Sequence, residues 1–314
     1  MRTVLNHKER SAGIRPATRS PALTPASSAP DSTLTAPAPA DDPSCHAPGA
    51  PPHEAGRLRI ALVGNPNVGK SVLFNRLTGA YVVVSNYPGT SVALSRGHGH
   101  LGERAVEVVD TPGAYALVPG TEEERVTEDY ILSGSADVLV HVIDAKNLPR
   151  GLPFTLGLLG CGRPLVLVLN MMDELSELGV SVEAGLLEER LGIPVVPMVA
   201  VRGEGVEDLA DAVERALTQG PPPPPDYANG VGAAIARVRG RLQGAYSVDP
   251  TALATLLLQG DESATACVTG AEPDGGRAAL DEAREAATTL GGPAVYRVAF
   301  ERQQVARDLL EDVL

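Results

Sequence analysis

Three short groups of residues carry the chemistry expected of this chain: Gly64-Asn65-Pro66-Asn67-Val68-Gly69-Lys70-Ser71, Asp110-Thr111-Pro112-Gly113 and Asn170-Met171-Met172-Asp173. In the first, glycines bound a short span and let the backbone wrap an anion, so that successive N–H groups point inward. Lys70 adds a point charge for β- and γ-phosphates, and the Ser71 hydroxyl a ligand for Mg²⁺. Val72, Leu73 and Leu77 follow at helical spacing and Gly79 closes the pattern, so a helix N-terminus adds its dipole to the site. A loop that merely turns is the plain alternative. The apolar strand before the loop and the helix after it count against that.

The other two groups narrow the ligand. An Asp at a strand end with Gly at i+3 suits Mg²⁺ binding by Asp110 and a γ-phosphate contact from the Gly113 N–H. Taken alone, Asp-x-x-Gly is usually a turn; its weight comes from following a phosphate loop. Asp173 can accept both the N1–H and the exocyclic amine of guanine, a donor pair that adenine does not present. Asn170 is expected to brace the neighbouring loops and the acceptor edge of the base. The N–H groups of Val199, Ala200 and Val201 lie where they can meet the guanine carbonyl. Thr90 and Ser91 follow Pro88-Gly89, which breaks regular structure, so their hydroxyls sit on a loop.

The elements that position these residues are legible as apolar runs. Strands are predicted over 58–63, 93–97, 105–109, 138–143, 165–169 and 195–198, with helical spacing over 206–217. The central runs are continuous rather than alternating, as in strands buried on both faces. Strand–helix alternation over 57–220 predicts an α/β domain with a mostly parallel sheet between helical layers and ligands at the carboxyl ends of its strands. His141 interrupts one buried strand and is read as a structural residue. Pro221 to Pro225 form a stiff spacer, after which 221–314 reads as a small all-α domain with helices over 231–246, 251–259, 277–290 and 294–314.

Composition excludes several classes. The 314 residues carry a net charge of −13 and only 3% aromatics without Trp, which argues against a nucleic-acid surface. Cys45, Cys161 and Cys267 have no metal-type spacing and suit a reducing cytosol. No run is long enough to span a membrane, and no secretory leader is evident. Residues 1–56, rich in Pro, Ala and Ser, are expected to be disordered; Cys45-His46 within them is a weak metal candidate.

The blocks Ser85-Asn86-Tyr87-Pro88-Gly89-Thr90, Asp110-Thr111-Pro112-Gly113-Ala114-Tyr115, Glu124-Arg125-Val126 with Asp129-Tyr130-Ile131-Leu132, Asp144-Ala145 with Asn147-Leu148, and Asn170-Met171-Met172-Asp173-Glu174 come in an order and spacing that resemble the cytosolic half of FeoB-type ferrous-iron transport GTPases. The likeness covers about 57–217 strongly and weakly extends to Leu256-Leu257-Leu258-Gln259-Gly260-Asp261. It implies a Ras-like P-loop NTPase fold and a helical domain resembling a nucleotide-dissociation inhibitor. It also implies GTP or GDP with Mg²⁺, a place at the cytoplasmic face of the membrane, and a membrane-embedded ferrous-iron permease domain or protein as partner.

Carried over residue by residue, the resemblance assigns catalysis to Lys70, Ser91 and Gly113, and Mg²⁺ to Ser71, Ser91 and Asp110. Ser91 is favoured over Thr90 by register, and Asn67 matches the Asn that helps bind K⁺ in K⁺-stimulated members. The nucleotide shell then takes in Gly64 to Val72, Gly89, Thr90, Ser91, Asp110, Gly113, Asn170, Asp173 and Val199 to Val201. Two departures matter. Val199-Ala200 replaces the family's Ser-Ala, which implies faster nucleotide exchange. Ala114 stands where a Ras-type enzyme carries its water-orienting Gln, which implies slow hydrolysis. A regulatory switch with negligible turnover and a ribosome- or RNA-associated GTPase are the alternatives, the latter disfavoured by the acidic charge.

Overall fold

A central strand with nearly every residue buried anchors the architecture: β1 (Leu58–Val63) pairs in parallel with β4 (Arg104–Asp110) on one side and β5 (Val138–Asp144) on the other. The computed structural model describes residues 57–79 and 82–314; the 1–56 tail and Cys45-His46 lie outside them. The sheet runs β2-β3-β4-β1-β5-β6-β7, with β2 (Val82–Asn86), β3 (Ala93–Leu101), β6 (Leu165–Asn170) and β7 (Val195–Pro197). β2 and β3 are antiparallel to their neighbours, whereas β4-β1-β5-β6-β7 are all parallel.

Alternate residues of the parallel strands enter two apolar layers. Ile60, Leu62, Val140 and Val168 face α1 (Lys70–Thr78), and the same layer takes in Leu209 and Val213, which belong to the helix Val206–Gln219. Ala61, Val63, Leu139 and Leu167 face the opposite way, against α2 (Glu122–Leu132), α3 (Leu148–Leu159), α4 (Met172–Glu177) and α5 (Ala184–Leu191). With Val206–Gln219 as α6, helices cover both faces. This explains the continuous apolar runs, since no strand residue in the centre meets water. Each such Leu or Val contributes about 1.5–3 kcal/mol by burial.

Five helices complete the chain: α7 (Val231–Arg239), α8 (Pro250–Leu258), α9 (Glu262–Ala271), α10 (Arg277–Thr288) and α11 (Ala294–Leu309). α11 packs on α3 and α5, α9 touches α2, and the buried side chains of this segment are continuous with the second apolar layer.

The elements differ from expectation in several places. β2 was not among the expected strands; the exposed run Val82-Val83-Val84 pairs with β3 at the sheet edge. β3 runs on to Leu101, where Gly102 and Glu103 turn the chain into β4. The helix expected over 231–246 stops at Arg239, with Gly240 as its cap. α9 was not expected; Asp261 caps it, accepting the Ala264 N–H at 2.8 Å.

The α2–α9 contact holds an unusual group. Glu128 is 1% exposed, and its carboxyl faces Asp261 and Ser263. Asp261 beside it caps α9, a place that favours a carboxylate. Burial, and then repulsion from Asp261 and Asp129, push the Glu128 carboxyl up to about 9. The unfolded chain ionises this group from about pH 4.5 upward while the fold keeps the proton. Stability is therefore lost progressively as pH rises between those values. Glu128→Gln is expected to melt with the parent in acid and to gain on it by on the order of 4 kcal/mol near pH 7.5. Thermal melts across a pH series check this, and an offset independent of pH would contradict it.

Candidate functional site

The three groups of residues meet at one rim of the sheet, where β1, β4 and β6 all end. After Val63 the chain turns at Gly64, whose φ of 144° and closeness to β5 leave no room for a side chain; a Cβ there would lie 2.2 Å from the Val142 carbonyl oxygen. Asn67 (φ 64°) and Gly69 (φ 94°) take left-handed conformations that curl the loop before α1 begins at Lys70. Lys70 is buried, 6% exposed, and its ammonium donates to the Gly64 and Asn65 carbonyls at 2.9 Å each, so it crosses the mouth of the loop. Burial pulls it below its ordinary value, with the Asp110 carboxylate opposing.

The Ser71 hydroxyl donates to Asp110 Oδ2 at 2.7 Å. The other oxygen of Asp110, Oδ1, is buried without a partner, and burial raises the carboxyl despite Ser71 and Lys70 nearby. A hydroxyl–carboxylate pair with a spare carboxylate oxygen is a hard-oxygen donor set, and it fits Mg²⁺.

The segment after Asp110 lies directly on the phosphate loop. The Ala114 N–H donates to the Gly64 carbonyl at 3.1 Å, and a Cβ at Gly113 would come within 2.6 Å of the Pro66 ring. The Ala114 methyl is buried in the core, facing away from the site. Glu124 tethers the remainder, accepting the Gly120 N–H at 2.7 Å and the Tyr115 N–H at 3.2 Å, and Thr127 Oγ1 donates to the Pro112 carbonyl at 2.8 Å. Asp144 and Asn147 bond to each other at 2.8 Å and, with Arg150 and Tyr115, line a cavity of about 380 Å³ beside Asn65 and Asn67.

The 87–92 turn is pinned by Tyr87, buried in the core, whose N–H donates to the Val92 carbonyl at 2.8 Å. Thr90 spends its hydroxyl inside the turn, donating to the Tyr87 carbonyl and accepting from the Val92 N–H. Ser91 is exposed. Among the described residues no hydrogen bond joins Ser91 to Ser71 or Asp110, and Ser91 lines a pocket with Pro112 of the segment after Asp110.

At the base-binding end, Asn170 Nδ2 donates to the Val68 carbonyl at 2.8 Å while its Oδ1 accepts the Ala200 N–H at 2.9 Å. It ties the phosphate loop to the loop after β7, the bracing expected of it. The Val199 N–H goes to the Glu204 carbonyl at 3.1 Å. Asp173 meets Arg202 at 3.2 Å. Arg202, Thr127 and Arg76, which reaches the Ala200 carbonyl at 2.6 Å, were given no role from the sequence. None belongs to a local motif; each acts through a partner that only folding supplies. His141, fully buried with Nδ1 2.9 Å from Thr155 Oγ1 and its ring pulled down to about 3 by burial, is the structural residue expected.

The sequence model of the family described as Ferrous iron transport protein B matches residues 58–213. NFeoB of S. thermophilus, solved as a point mutant bound to mGDP, superposes with a TM-score of 0.74 at 30% identity, covering 82% of this chain and 100% of that one. The chain belongs to the FeoB family. The cytosolic domain of T. maritima FeoB in its GMPPNP form is similar at a TM-score of 0.69 and 26% identity, covering 82% of this chain and 98% of that one. The Fe(2+) transporter FeoB of Shigella flexneri is 43% identical over 163 residues, 51% of this chain and 21% of the relative. The Salmonella typhimurium transporter is 44% identical over the same length. This FeoB-family chain thus spans about a fifth of the curated relatives it matches. Its fold is that of the P-loop GTPase domain followed by helices, and no described helix is long and apolar enough to cross a membrane.

Proposed function

We propose that this chain binds GTP with Mg²⁺, hydrolyses it slowly, and uses the nucleotide to gate or energise ferrous-iron passage through a membrane-embedded permease. The observation that carries the reading is the convergence of Lys70, the Ser71–Asp110 pair with its spare oxygen, and Asn170 with Asp173 at one sheet rim. Lys70 neutralises the β- and γ-phosphates and the loop N–H groups hold them. Ser71 and Asp110 hold Mg²⁺, which supplies charge neutralisation across the phosphates when bound. Ser91 completes that set from the 87–92 turn, and the Gly113 N–H meets the γ-phosphate. Asp173 selects guanine.

No side chain at position 114 takes the role of a water-orienting Gln, because that position points into the core. Hydrolysis is accordingly slow, and Asn67 would hold a K⁺ ion, which would supply charge stabilisation beside the phosphates. The family relationship supports a place at the cytoplasmic face of the membrane beside the permease. Titration with GTP, GDP and ATP tests the guanine assignment, with equal affinity for ATP overturning it. Single-turnover hydrolysis is expected to run at least about tenfold faster in K⁺ than in Na⁺. The buried Ala114 also favours a second reading, a binding switch without turnover, and equal, negligible rates in both salts would select it.

A further inference from the structure

Resting on the guanine reading above, we propose that Arg76 of α1 is a positioning residue for base recognition, holding the 199–201 loop so that its Val201 N–H faces the guanine 6-oxo group. The guanidinium donates to two consecutive carbonyls of that loop, Nε to Ala200 at 2.6 Å and Nη2 to Val201. A planar, permanently charged fork suits such a pair of acceptors, and a lysine ammonium does not reproduce it. The space it occupies is kept open by Gly203 at φ 81°, where a Cβ would sit 2.9 Å from Arg76 Nη1.

The reason this bears on the base lies in the peptide geometry. The Val199 N–H is used by Glu204, and the Ala200 N–H by Asn170 Oδ1. Among the described residues, that leaves the Val201 N–H as the donor of this loop that makes no hydrogen bond. The Ala200 carbonyl and the Val201 N–H belong to one rigid, planar peptide and point in opposite directions. Fixing the carbonyl on Arg76 therefore fixes the direction of the N–H, and a cation on the oxygen polarises the donor. Arg76 thus acts on the base from the far side of the loop, 124 residues away in sequence.

Stopped-flow dissociation of ribose-labelled GDP, and of the matching 2-aminopurine riboside diphosphate, which lacks the 6-oxo group, separates this role from general support of the fold. In Arg76→Gln, GDP is expected to leave about tenfold faster while the analogue changes by less than about twofold. Arg76→Lys, which keeps the charge without the fork, is expected to resemble the Gln variant and serves if that variant folds poorly. Equal acceleration of both ligands, or none for GDP, overturns the proposal. A parent protein that binds ADP as well as GDP overturns instead the guanine reading on which it rests.

Discussion

Asp173→Asn is expected to lower GDP affinity by about a thousandfold and to turn preference toward xanthosine diphosphate. The carboxylate is the only acceptor proposed for both the N1–H and the 2-amino group of guanine, and hydrogen bonds to a charged group contribute about 1.5–3 kcal/mol each. Losing two such bonds amounts to roughly 4 kcal/mol, or three decades in dissociation constant. Xanthine carries a carbonyl where guanine has the amine, which an asparagine NH₂ can meet. The fold itself should hardly notice. Asp173 pairs with Arg202 at 3.2 Å, but the arginine side chain is 57% exposed, and such surface pairs add at most about 1 kcal/mol. Titration of the variant with both diphosphates, alongside a thermal melt, is the measurement; unchanged GDP affinity would remove Asp173 from the site.

Lys70→Met carries the second large effect. On the proposed role, loss of the buried ammonium that meets the β- and γ-phosphates is expected to weaken GTP by about a hundred- to a thousandfold, and GDP by less, since only GTP offers the γ-phosphate. Stability should move little. Lys70 is buried and its ammonium is disfavoured by that burial, which Met relieves, while the Gly64 and Asn65 carbonyls lose their donor. These two changes oppose one another, so the melting temperature is expected to stay within a few degrees. A variant that loses both binding and melting temperature would mean that Lys70 holds the loop together rather than the nucleotide.

The parts of the fold that were legible share a physical cause. β1, β5 and β6 are buried on both faces, so their sequences are nearly unbroken apolar runs, and the glycines between β1 and α1 are fixed by backbone angles and close approach that other residues do not accept. β2 was not legible, because an exposed edge strand is defined by its partner β3 rather than by burial. α9 was not legible either. Its Ala-, Thr- and Gly-rich sequence has little apolar periodicity, and a cap from Asp261 with packing on α2 and α8 decides it.

By itself the sequence determined the chemical inventory at the sheet rim: a phosphate loop, a carboxylate beside a hydroxyl, and a carboxylate suited to guanine, in an order that spacing alone makes specific. Local backbone requirements write such motifs into adjacent residues. Only the tertiary structure decided how those groups are committed. It turned Ala114 into the core, spent the Thr90 hydroxyl inside its own turn, and brought Arg76 and Asn170 onto loops more than a hundred residues distant. Those contacts join side chains to backbone groups of remote segments, and a backbone amide or carbonyl looks the same in every sequence until folding places it.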